Sequence, residues 1–206
     1  MQISTIIQQS CNDLVVAGIT DSPKLDVELL LAHAINKTRT YLFTWPEKTI
    51  SSDEFKKFQI LFSQRLVGKP IAYILASKEF WGLNFNVNQH TLIPRPDTEI
   101  LVEETLQKAK NRQGWPPHIE ILDLGTGSGA IICALKHELP QANATAVDFQ
   151  AEALAIAKQN ALNLQLNIQF KQSDWLSVFN TEKFHIIVSN PPYIEETDPH
   201  LQQGDV

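Results

Sequence analysis

Two cysteines in 206 residues, Cys11 and Cys133, are too few for a disulfide framework, and neither has the C-x-x-C or histidine-rich context of a zinc site. No metal site is expected. Nothing approaches the length of a membrane span, and residues 1–9 lack the basic segment and unbroken apolar run of a signal peptide, so the cytoplasm is the expected compartment. Positive charge is also short: 17 Lys and Arg stand against 23 Asp and Glu, a formal net charge of -6. That sign is wrong for a protein whose affinity comes from neutralising phosphates. Lys56-Lys57 is the only adjacent basic pair and reads as a solvated helix face. Internal repeats and low-complexity tracts are missing. With 43% hydrophobic and 19% charged residues, the composition is that of a globular chain and excludes disorder.

What is present begins with an apolar strand, Ile119 to Leu124, running into Gly125-Thr126-Gly127-Ser128-Gly129 and then a helical run from Ala130 to Lys136. The glycines permit positive φ and bring backbone N–H groups close to a ligand that a Cβ would exclude. The spacing is G-x-G-x-G, unlike the G-x-G-x-x-G of dinucleotide folds, and it suits a nucleoside with a cationic tail better than a pyrophosphate. Asp148 closes the next apolar strand, Ala144 to Val147, about 20 residues beyond the loop, the offset at which an acid accepts hydrogen bonds from ribose hydroxyls. Strand, glycine turn, helix, strand and acid together are the pattern of an adenosyl ligand. Cys133, in the apolar face of that helix, reads as core.

Asn190-Pro191-Pro192-Tyr193 follows a second apolar run, Phe184 to Ser189. A planar NH2 group is a poor nucleophile because its lone pair is delocalised. The Asn190 side-chain oxygen and the free C=O of Pro191 can accept from its two hydrogens, pin the nitrogen and localise that pair. A residue before proline is held extended, and Tyr193 can lie against a planar substrate group. The plain alternative is a proline-rich turn ending a strand.

These motifs, together with Leu92-Ile93-Pro94-Arg95-Pro96-Asp97-Thr98-Glu99 and Gln172-Ser173-Asp174-Trp175, resemble the HemK/PrmC release factor glutamine N5-methyltransferases across essentially the whole chain. The resemblance implies S-adenosylmethionine as cofactor. It also implies methylation of the glutamine amide in the Gly-Gly-Gln motif of class I peptide release factors, which would be the partners. Gly125, Thr126, Gly127, Ser128 and Gly129 would form the cofactor loop, with Asp148 on the ribose, Asp174 and Trp175 bordering the adenine, and Asn190 also beside the cofactor. Asn190, Pro191, Pro192 and Tyr193 would receive the glutamine, with Asn190, Pro191 and Tyr193 catalytic. Arg95 either serves the substrate entrance or pairs with Asp97 or Glu99 as a strut, the reading preferred here. N-P-P-Y also resembles the motif of adenine N6-methyltransferases, whose target base must be flipped out, and net charge argues against that alternative. A non-catalytic interaction fragment is the third reading.

The organisation is α/β: an N-terminal helical bundle and a Rossmann-like class I methyltransferase domain with a parallel sheet that is incomplete at its C-terminal end. The expected boundaries are 1–78 for the helical, substrate-recognition domain, 79–95 for a β-hairpin connector and 96–206 for the methyltransferase domain. Helices are expected from Thr5 to Ala17 closed by Gly18, from Ser22-Pro23 onward, and from Ser51, where Ser51 and Glu54 have capping-box spacing, to a stop at Gly68. His33 and His185 read as packed, structural histidines. Strands near Ile121, Val147, Phe170 and Ile187, separated by helices from Ser128 and Gln150, indicate right-handed crossovers, and an order 3-2-1-4 would set the glycine loop opposite Asn190. The family continues further, so the chain reads as C-terminally truncated. The strand Phe184 to Ser189 would then be an open edge, prone to self-association.

Overall fold

A computed structural model describes residues 1–111, 113–116 and 118–191. The chain divides into two compact units, with residues 1–75 in one and the described residues from Ala76 onward in the other. In the first, α1 (Ile3–Val16), α2 (Pro23–Ala34) and α4 (Ser52–Leu66) are joined by two short helices, α3 (Arg39–Thr44) and α5 (Ile71–Leu75). Helix α1 buries Ile3, Ile6, Ser10 and Leu14, one stripe at helical spacing, and α4 buries Phe58, Phe62 and Arg65 in the same way. The Ser51–Glu54 capping box forms as the sequence indicates: the Glu54 amide donates to Ser51 Oγ at 3.2 Å, and Glu54 Oε2 accepts the Ser51 amide at 2.8 Å. Within this core Arg65 Nε donates to Asp26 Oδ2 at 2.8 Å, a pair almost fully withdrawn from water. Helices α3 and α5 are too short to carry an apolar period, which is why pattern reading passes over them. His33 does not pack inside; it is exposed on α2, because the stripe buried there runs through Leu30, Leu31 and Ala34.

The second unit opens with a hairpin, β1 (Ser77–Phe80) and β2 (Leu83–Asn86), paired antiparallel. Its turn residues Trp81 and Gly82 have φ of 56° and 70°, the left-handed pair whose twist suits a two-residue hairpin. Tryptophan is an uncommon residue there, and two acids hold it: Glu99 Oε1 accepts the Trp81 amide at 2.8 Å and Glu138 Oε1 accepts Trp81 Nε1 at 3.1 Å. Glu99 thus serves the hairpin turn. The hairpin starts at Ser77, and its Phe80 and Phe85 are core residues of this unit, so it is part of the sheet unit and not a separate connector over 79–95.

The sheet is parallel, with β3 (Glu120–Leu124), β4 (Asn143–Asp148), β5 (Ile168–Gln172) and β6 (Ile186–Ser189) in the order β5-β4-β3-β6. That is the expected 3-2-1-4. Three helices, α6 (Glu99–Lys110), α7 (Ala130–Glu138) and α8 (Ala151–Asn163), share one apolar core with Ile121, Ala144, Ala146 and Val188. A 3-10 turn, Pro96–Thr98, leads into α6. Along α6, Val102, Leu106 and Ala109 are buried, whereas Ile100 is 62% exposed. On the opposite sheet face Leu122, Leu124 and Val147 pack against Phe179 and Phe184, whose rings meet edge to face at 5.1 Å. Strand β6 begins two residues later than expected. His185 just precedes it, exposed, with Nδ1 accepting the Glu120 amide at 3.0 Å and its ring 5.5 Å from Trp115.

Candidate active site

At the carboxyl ends of the strands lies a cavity of about 320 Å³. Gly125 and Gly127 form its floor, Asp148 and Phe149 come from the end of β4, Asp174 and Trp175 follow β5, and Asn190 follows β6. His90 and Leu92, beyond the hairpin, supply a further wall. Order reversal puts the site here: β3 is followed by β4 on one side and by β6 on the other, so the loops leaving β3 and β6 diverge and leave a crevice between them. A larger concavity of about 670 Å³ in the helical unit is rimmed by His33, Lys37 and Lys57. The chemistry indicated by the sequence falls in the smaller one.

The glycine loop is built by hydrogen bonds to the neighbouring strand. The Gly125 and Thr126 amides donate to the Val147 carbonyl at 2.9 and 3.0 Å, the Gly127 amide to Asp148 Oδ2 at 2.8 Å, and the Gly129 amide to the Thr126 carbonyl at 2.8 Å. These four amides serve the loop itself, where the sequence suggested that they face a ligand. What the glycines provide is close approach. Gly129, at φ 80°, would place a Cβ 3.1 Å from Ala157 Cβ of α8, tighter than van der Waals contact allows. Thr126 and Ser128 are buried behind the loop, so of the five loop residues only Gly125 and Gly127 reach the cavity.

Asp148 is doubly bonded to backbone, Oδ2 to Gly127 and Oδ1 to the Gln150 amide at 2.9 Å. A carboxylate has about four lone-pair sites, which leaves capacity for ligand hydroxyls. The loop after β5 is set by Ser173, whose amide donates to the Asp148 carbonyl at 3.0 Å and whose hydroxyl donates to the Trp175 carbonyl at 2.9 Å. Trp175 sits at φ 48° and Phe149 is 71% exposed, so two aromatic rings line the cavity without being drawn into the core. Asn190 donates from Nδ2 to Thr98 Oγ1 at 3.1 Å, leaving Oδ1 as the atom able to accept. The end of β6 is fastened beside it by Ser189 Oγ, which donates to the Leu124 carbonyl at 2.8 Å. Pro191 is exposed, while Pro192 and Tyr193 lie outside the described residues.

Under the loop, on the face covered by α7, Asp123 has no solvent exposure. Burial drives its carboxyl up to about 7 against the hydrogen bond from Thr126 Oγ1 at 2.7 Å; the Asp148 charge adds to the rise and the Ile132 amide opposes it. Oδ1 has no partner in bonding geometry. Burial, with Asp123 beside it, likewise pushes the Cys133 thiol up to about 12, so that sulfur stays protonated. An acid whose folded pKa is raised from an unfolded value of about 3.9 binds more protons folded than unfolded between those two pH values. Stability therefore declines as pH rises from about 4 to about 7, by up to about 1.4 kcal/mol per pH unit. Asp123→Asn should flatten this segment of the curve relative to the parent in urea melts across that range. An unchanged slope would show that Asp123 does not titrate there.

Sequence reading did not find Phe149, His90 and Leu92 as cavity residues, Thr98 as the anchor of Asn190, or Ser173 as the organiser of its loop. An aromatic residue directly after a strand-end acid was a signal for Phe149. No pattern in the sequence joins Thr98 to a residue 92 positions away.

Residues 96–204 match the Methyltransferase small domain, and residues 5–75 match the PrmC N-terminal domain. With the 3-2-1-4 parallel order and the strand-end site, they define an α/β methyltransferase fold of class I. The release factor glutamine methyltransferase of Aliivibrio fischeri is 46% identical over 208 residues, which is 100% of this chain and 71% of the relative. That of Vibrio cholerae is 49% identical over 91% of this chain and 64% of its own length, and that of Escherichia coli 44% over 91% and 66%. The chain belongs to the release factor glutamine methyltransferase family and spans 64–71% of the length of these relatives. A solved tRNA (uracil-54, C5)-methyltransferase of Pyrococcus abyssi in complex with S-adenosyl-L-homocysteine overlaps 56% of this chain and 28% of its own, at TM-score 0.45 and 15% identity, too loosely to add to these relatives. Among the described residues no helix is long and apolar enough to cross a membrane, and no cluster of His, Cys, Asp or Glu is arranged to hold a metal ion.

Proposed function

We propose that the cavity holds S-adenosylmethionine, with Asp148 on the ribose and Trp175 and Asp174 beside the adenine, and that Asn190 receives the side-chain amide of the Gly-Gly-Gln glutamine of a peptide chain release factor. The observation that carries this reading is the placement of Asn190. It stands at the end of β6, lines the same cavity as Gly125 and Gly127, and has its donor nitrogen already engaged by Thr98. With one Nδ2 hydrogen held by Thr98, Oδ1 is placed to accept from an NH2 nucleophile. The residues also fit the cofactor: a half-buried carboxylate with spare lone pairs for hydroxyls, exposed rings for a planar base, and glycines where a chain must pass close.

Bound S-adenosylmethionine supplies a methyl group on a positively charged sulfur. Asn190 Oδ1, with the Pro191 carbonyl as second acceptor, would hold the two amide hydrogens and turn the nitrogen's electron pair toward that methyl group, the sulfur keeping the pair of the broken C–S bond. Alignment contributes most in such a displacement, and the amide proton passes to water once the nitrogen has lost its delocalisation. No strong base is required, although His90 lines the same cavity as Asn190. An adenine amine poses the same chemical problem, but the net charge of -6 disfavours a nucleic-acid substrate.

The test is transfer of a labelled methyl group, with release factor and adenine-containing DNA offered separately. Label is expected on the glutamine of the Gly-Gly-Gln tripeptide. Label on adenine, with none on release factor, would sink the proposal.

A further inference from the structure

Asn160 lies on the inward face of α8 between Ala157 and Ala161 and is 1% exposed. An amide buried on an apolar helix face is costly unless its bonds are made. Here three are made, and they reach two distant segments. Oδ1 accepts the Asn86 amide at 2.8 Å, while Nδ2 donates to the Asn86 carbonyl at 3.0 Å and to the Ser128 carbonyl at 2.8 Å.

Both segments lead to the cavity. Ser128 stands between Gly127, which lines it, and Gly129, which rests on Ala157. Asn86 ends β2, and a tight turn follows: the Thr91 amide donates to the Asn88 carbonyl at 3.0 Å, and the His90 amide to Asn88 Oδ1 at 2.9 Å. The chain thus runs from Asn86 through this turn to His90 and Leu92, the wall beside the glycine floor.

We infer that Asn160 is a positioning residue for the cofactor cavity: it holds the His90–Leu92 wall and the glycine loop at a fixed separation, and so sets affinity for the adenosyl ligand without touching it. This rests on the cavity being the cofactor site. Asn160→Leu keeps the branched shape, at a larger volume, and removes all three bonds. Asn160→Asp keeps the acceptor for the Asn86 amide and turns an oxygen toward two carbonyls.

The experiment measures S-adenosylhomocysteine affinity by calorimetry on the whole chain, alongside thermal melting and amide hydrogen exchange of residues 86–92 and 127–130 in the free protein. Both variants should bind roughly tenfold more weakly or worse, the consequence of leaving a buried carbonyl unpaired. Exchange should quicken in both segments while β4 stays protected. Asn163→Ala, at the exposed end of the same helix, should bind as the parent does. Parent-like affinity in the folded fraction of Asn160→Leu, or faster exchange in one segment only, would reduce Asn160 to a packing residue and overturn the inference. If Asn160→Leu does not fold, Asn160→Asp carries the same two outcomes. A parent that binds no S-adenosylhomocysteine, with variants that still loosen both segments, would leave the coupling standing and remove the cofactor reading instead.

Discussion

Methyl transfer by Asn190→Ala is expected to fall by a factor of about 10²–10³, the size seen when a single preorganised hydrogen-bonding group aimed at a transition state is removed. Cofactor affinity should change far less. Asn190 Oδ1 is free because Nδ2 is held by Thr98 Oγ1, so its interaction with the incoming amide strengthens as the nitrogen becomes positive. Such a loss appears in kcat and kcat/KM together. Two companions separate orientation from acceptance. Thr98→Val removes the anchor and leaves the acceptor, so it should lower kcat by less than Asn190→Ala does. Asn190→Asp accepts but cannot donate to Thr98, and substantial retained turnover would identify acceptance as the essential property. The assay belongs on the chain together with the further length its relatives possess. Loss of cofactor binding in Asn190→Ala, with bound complex turning over normally, would contradict the role.

Asp148→Ala should weaken binding of S-adenosylhomocysteine by about 1.5–3 kcal/mol, roughly 10- to 150-fold, the range for hydrogen bonds to a charged group. Two effects add. The ribose loses its acceptor, and the Gly127 amide loses Asp148 Oδ2, so the cavity floor is released as well. Folding should survive, because Asp148 is only half-buried and the sheet core beneath it, Ala146 and Val147, is untouched. Calorimetry with a parallel melting curve decides the matter. A folded variant with parent affinity would take Asp148 out of the site.

The parallel order β5-β4-β3-β6 was legible because strand-helix alternation with right-handed crossovers allows few arrangements, and strands near Ile121, Val147, Phe170 and Ile187 stand out as short apolar or alternating segments. Gly125, Asp148, Trp175 and Asn190 were legible as candidates for a related reason. Each follows the end of a strand, and in a parallel sheet those ends fall on one edge of the molecule. The capping box at Ser51 is a local device, complete within four residues.

Contacts between residues far apart in the chain were decided elsewhere. Which rotamer Asn190 holds depends on Thr98, and the height of the glycine loop above α8 depends on Ala157 and Asn160. Whether His33 is inside or outside turns on which stripe of α2 the other helices cover. Asp123 directly precedes the glycine turn, and only packing beneath α7 removes it from water and changes its chemistry. Sequence by itself determined the elements, their order and the edge at which a ligand binds, since periodicity and turn chemistry are local. The tertiary structure alone decided which side chains are oriented, buried or shared between walls, because hydrogen bonds across 74 or 92 residues leave no trace in spacing.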